Sequence, residues 1–146
     1  EALLTLQQRW RSRIDLQLVA LVPLAFWGSA EADVLARRVA ASGGCLGGVL
    51  TPPCGSAVVA QQLEQLLRLA DRHSCGVDLH IDEADHGPAQ GMVQLLRALR
   101  RVPVQVPVTC SHASSLALLP ASRLVRLAER MAAAELRVIA LPLTNA

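Results

Sequence analysis

Val77-Asp78-Leu79-His80-Ile81-Asp82 is the stretch on which the reading of this sequence turns. Val77, Leu79 and Ile81 alternate with Asp78, His80 and Asp82, the period-two pattern of a strand with one buried face. Working outward, four more short apolar runs read as buried strands, at residues 14–21, 46–50, 106–110 and 137–141. With 77–81 they start 32, 31, 29 and 31 positions apart. Helical patterns fill the gaps: 31–41 after Ser29, 57–72 after Ser56, 89–101 after Gly87-Pro88 and 122–134 after Pro120. A further helical pattern over 1–13 runs into the first strand.

Strand and helix alternating about every 31 residues is the beat of a (β/α)8 barrel, in which about 250 residues divide among eight units. The expected fold is therefore α/β, a partial (β/α)8 TIM barrel of about five βα units, corresponding to strands 3 to 7. Five units do not close a barrel, so residues 1–146 are read as one fragment of a barrel domain. A complete doubly wound sheet of five parallel strands is the competing architecture.

Composition narrows the function classes. Apolar residues make up 52% of the 146 and charged residues 18%, which excludes a disordered tail. The net charge of +2 forms no basic stripe, so nucleic acid is not an expected partner. No apolar run reaches the length of a membrane span and no signal peptide is legible, so no membrane is expected either. Cys45, Cys54, Cys75 and Cys110 show no C-x-x-C spacing, which suits four reduced, mostly buried thiols in a cytoplasmic protein.

The polar residues gather at strand ends. Strand alternation points His80 into the barrel near the carboxyl end of its strand, with Glu83 opening the following loop. The next strand ends in Ser111-His112 at the matching height. Catalytic groups of such barrels collect at this end, but a catalytic metal normally keeps three or more protein ligands. The residues alone give half a metal site. His73, at a helix end, and His86, in a polar loop, read as solvated.

At these residues the sequence resembles the cytosine-deaminase branch of the amidohydrolase superfamily. Ile14-Asp15-Leu16-Gln17-Leu18-Val19-Ala20 looks like the family's I-D-L-Q-I-V-A strand, and residues 78–83 like its D-V-H-x-D-E segment. Val108-Thr109-Cys110-Ser111-His112 is similar to V-T-x-S-H, and Leu141-Pro142-Leu143-Thr144-Asn145 to N-P-L-x-N. The segments fall in family order. The resemblance implies hydrolytic deamination of an aminated N-heterocycle by metal-activated hydroxide. It implies His80 as a ligand to a divalent metal (Fe or Zn), Glu83 as proton shuttle, His112 as the residue positioning the hydroxide, and Gln17 as a hydrogen-bond partner of the substrate ring. Asp82, Ser111 and Asn145 match motif letters and read as strand-end and loop hydrogen-bonders. The family's H-x-H and its eighth-strand aspartate have no counterpart here, so the metal site is incomplete within this chain and little activity is expected of it alone. Residues 22–27 and 51–55 depart from the family pattern where the substrate pocket is expected. A triazine, pterin or other ring is therefore an alternative to cytosine, and a non-catalytic barrel homologue is the alternative outside enzymes. A small heterocyclic substrate is the expected partner, and a homo-oligomer is admitted for the full-length protein.

Overall fold

The computed structural model describes residues 2–141. Five parallel strands form one sheet: β1 (Val19–Leu21), β2 (Cys45–Leu50), β3 (Gly76–Ile81), β4 (Val108–His112) and β5 (Arg137–Ile139). Their order across the sheet is β1-β2-β3-β4-β5, each strand beside its chain neighbour. A doubly wound sheet would reverse direction at a switch point, and none occurs among the described residues. The fold is that of a run of barrel wall, as the 31-residue beat predicts.

The helices are α1 (Ala2–Trp10), α2 (Ala32–Ala41), α3 (Ala57–Arg72), α4 (Gln90–Arg101) and α5 (Ala121–Ala133). Ser56 caps α3 as expected, its Oγ accepting from the Val59 amide at 3.2 Å. Ser29 does not cap α2 with its side chain; Glu31 stands at the N-cap. The core lies between the sheet and α3 and α4. Val77, Leu79 and Ile81 of β3 meet Leu63, Leu66, Leu67 and Ala70 of α3 and Met92 and Leu95 of α4, all fully buried. On the opposite face of the sheet stand Val19, Leu21, Val49 and Ile139, all exposed, with Asp78, His80, Thr109 and Ser111. This is the face that a closed barrel encloses.

The first strand departs from expectation. Only Val19–Leu21 joins the ladder, and residues 14–18 run irregularly beneath it. The Leu16 carbonyl accepts from Gln7 Nε2 of α1, at 2.7 Å, rather than from a neighbouring strand. The Pro142–Asn145 part of the last family-like segment lies outside the described residues.

Candidate active site

Three of the four residues singled out from the sequence converge at the carboxyl end of the sheet. His80 is the penultimate residue of β3, Glu83 lies two residues beyond that strand, and His112 ends β4. Their ligand-capable atoms all lie within 4.8 Å of one another. The His80 and His112 rings meet edge to face at 4.8 Å between centroids, and His112 Nδ1 lies 3.2 Å from Glu83 Oε1. That nitrogen is buried and, despite the short distance, has no partner with hydrogen-bond geometry. Glu83 is 39% exposed at its side chain, so it faces the open side of the site.

Alternation alone does not build this cluster. His112 is in register with Ile81, whose side chain is on the helix side. Its backbone is left-handed, at φ +75°, as is that of Ala113, at φ +52°. Such a conformation is uncommon for residues other than glycine and breaks the period-two pattern, letting the His112 ring meet His80.

The same device acts in the opposite direction at Asp82, at φ +54°. Parity predicts Asp82 on the inner face with His80; instead it is fully buried and turned outward to α4. Its Oδ1 accepts from the Gly91 amide at 2.7 Å and its Oδ2 from the Met92 amide at 2.8 Å. A carboxylate suits these otherwise orphaned donors of a helix N-terminus. Burial pushes the Asp82 carboxyl up, and the two amide hydrogen bonds pull it part of the way back. A sequence reading sees only an acid in a strand, because the helix start that it caps lies nine residues further on. Ser111 donates to Asp78 Oδ1 at 2.8 Å, the strand-end role expected of it.

Gln17 is not brought to the cluster. Val19 is level with Cys45 and Gly76 at the start of β2 and β3, Gln17 lies two residues before Val19, and His80 four beyond Gly76. Gln17 therefore lies before the amino end of the sheet, and His80 near its carboxyl end. Gln17 lines a cavity of about 160 Å³ at the amino end of the sheet, with Gly44, Ser74, Cys75 and Arg137 among its neighbours. The structure does not bring the residue read as a substrate contact together with His80, Glu83 and His112, because its strand joins the ladder only from Val19 onward. His73 is corrected too. Its Nε2 pairs with Asp33 Oδ1 at 2.8 Å and its side chain is 14% exposed, joining α3 to α2. His86 is exposed as expected.

The cluster's chemistry suits a metal. The three groups lie within 4.8 Å of one another, one pair at 3.2 Å, close enough for a divalent ion to be held among them.

No family model matches the chain. Over 142 residues it is 31% identical to a pterin deaminase of Rhizobium rhizogenes (strain K84 / ATCC BAA-868), covering 95% of this chain and 31% of that protein. Its fold matches N-isopropylammelide isopropylaminohydrolase from Burkholderia multivorans ATCC 17616 with a TM-score of 0.73 at 24% identity, covering 94% of this chain and 35% of that one. It also matches 5-methylcytosine deaminase from Klebsiella pneumoniae, liganded with 5-fluorocytosine, with a TM-score of 0.72 at 25% identity, covering 97% and 35%. The chain thus spans about a third of the length of the relatives it matches. Sequence likeness, strand order and the convergence of His80, Glu83 and His112 agree, and over about a third of their length the chain is similar to these cytosine-deaminase-like amidohydrolases.

Proposed function

We propose that this chain is a stretch of about five βα units from a longer amidohydrolase barrel that removes an exocyclic amine from an N-heterocycle by hydrolysis. The observation that carries this reading is the meeting of His80, Glu83 and His112 at the carboxyl ends of β3 and β4. His80 would hold a divalent ion, Fe or Zn, together with ligands from outside this chain. Such an ion, when bound, lowers the pKa of water to about 7 and so supplies hydroxide at neutral pH.

The chain's own residues then handle position and protons. His112, buried against His80, orients the attacking oxygen. Glu83 takes one proton from the attacking water and gives it to the ring nitrogen, then takes the second from the hydroxyl now on the ring carbon and gives it to the departing nitrogen. The carbon–nitrogen bond breaks, the ring gains a carbonyl, and ammonia leaves, so one water is consumed per amine released. A general acid–base group of this kind contributes about 10²–10⁴ in rate.

The ring itself is open to a pterin, a pyrimidine or a triazine. Pterin comes first for testing, since the relative at 31% identity is a pterin deaminase. The four buried thiols fit the cytoplasmic setting expected from the sequence. Among the described residues no helix is long and apolar enough to cross a membrane.

The test is ammonia release by the full-length protein from a panel of aminated pterins, pyrimidines and triazines. Glu83→Gln is expected to lower kcat by about 10²–10⁴ on the ring that reacts. Near-normal turnover by that variant would refute the assignment, and no ammonia from any ring would favour a binding module. The 146 residues alone are expected to show little turnover, because they bring fewer ligands than a catalytic metal needs.

A further inference from the structure

We propose that Asp82 is a positioning residue that holds Glu83 in place against His112. Every polar group of Asp82 is engaged, each with a different part of the rim. Its amide donates to the Leu50 carbonyl at the end of β2, at 3.1 Å. Its carbonyl accepts from the Ser115 amide at 3.0 Å and from Ser114 Oγ at 3.4 Å, in the turn that follows His112. Its carboxylate grips the first turn of α4 through Gly91 and Met92. Ser115, 1% exposed, reinforces this join by accepting from the Ala89 amide at 3.2 Å.

One residue thus ties the ends of β2, β3 and β4 to the start of α4, and Glu83 is its immediate chain neighbour. Asp82 is fully buried on the helix side, so it reaches neither substrate nor metal and acts through Glu83 alone. The left-handed backbone at φ +54° is the mechanical link. A side chain locked outward at 82 compels the chain to turn there and returns Glu83 to the inner face beside His112.

The kinetic arm of the test rests on the deaminase reading above; the crystallographic arm does not. In the full-length protein Asp82→Asn keeps the shape but turns one acceptor into a donor facing a helix amide. A supporting group of this kind is expected to lower kcat about 10- to 100-fold, with KM and metal content little changed. In a Glu83→Gln background the same substitution should change kcat by no more than about twofold, because the group it positions is gone. Crystal structures should show the Glu83 carboxylate drawn away from His112 Nδ1 in the Asp82→Asn protein. Should that variant not fold, Gly91→Ala crowds the same carboxylate from the helix side and should give the same pattern in weaker form.

An equal loss of kcat in both backgrounds, or a lower melting point with unchanged kcat, would overturn the proposal by making Asp82 merely structural. So would a Glu83 carboxylate that keeps its place in the variant crystal. A wild-type protein that deaminates no ring would sink the deaminase reading, while the crystal comparison would still decide the anchor.

Discussion

Replacing Gly91 with alanine measures how tightly β3 is locked to α4. A Cβ at position 91 would lie 2.8 Å from Ile81 Cγ1, 2.9 Å from Asp82 Oδ1 and 3.2 Å from the carboxyl carbon of Asp82. Carbon atoms in ordinary contact sit about 3.5–4.0 Å apart, so the new methyl overlaps Ile81 by roughly 0.7 Å. Neither neighbour has room to retreat, since Ile81 and Asp82 are both fully buried. Oδ1 is further held by the 2.7 Å hydrogen bond from the amide of Gly91 itself. Two effects compete. Alanine gains about 0.5–1 kcal/mol over glycine within a helix by restricting the unfolded chain, whereas overpacking a rigid core costs about 1–3 kcal/mol. The overlap wins, and a net destabilisation of about 1–2 kcal/mol is expected. Denaturant unfolding of the full-length protein at fixed metal content reads this directly. An alanine variant as stable as the wild type would refute the reasoning, because it would mean that the strand end yields freely.

Three further outcomes follow from the same structure. Gln17→Ala should leave kcat and KM unchanged, since Gln17 lies at the opposite end of the sheet from His80; a raised KM would bring it back as a substrate contact. Trp27→Phe should destabilise by about 1–3 kcal/mol in denaturant unfolding. It removes the indole donor 2.9 Å from the Gly47 carbonyl at a 2% exposed position and leaves that acceptor buried; no loss of stability would show that the bond contributes nothing net. Burial pushes the Cys54 thiol up to about 11 and the Cys110 thiol up to about 12. Thiolate is the reactive form, so at pH 8 iodoacetamide should label neither until the protein is unfolded; fast labelling of the native protein, read by mass spectrometry, would contradict this.

The sequence carries the architecture well because a barrel repeats one physical demand. Each strand buries an aliphatic face under a helix, and each helix then needs a turn back, so Val77, Leu79 and Ile81 and the stripe through Leu63, Leu66 and Leu67 are readable by period alone. His80, Glu83 and His112 are legible for a related reason: strand ends have fixed heights in a parallel ladder. What escapes is whatever depends on the sign of a backbone angle. Nothing in the side chains of Asp82 or His112 announces φ values of +54° and +75°, yet those two angles decide which residue faces the site. Asp82 read as inward by alternation, and His112 reaches the site only because alternation fails there. Gln17 escapes differently. Its segment alternates as a strand would, but only Val19–Leu21 finds ladder partners, and a matching letter in an unpaired segment carries no position. His73 looked solvated because its partner, Asp33, is 40 residues away in sequence and meets it only when α2 and α3 pack.

The sequential strand order also says how such a barrel can be taken apart. Every pairing joins chain neighbours, so a cut between two units severs a single ladder at each seam and leaves each piece with its helices attached. Among the described residues β1 and β5 each have one strand partner, and the free side of each presents a row of backbone donors and acceptors. In a closed barrel the neighbouring strands would pair with both rows and enclose Val19, Leu21, Val49 and Ile139 in the same step. His80, Glu83 and His112 would travel together on one of the pieces.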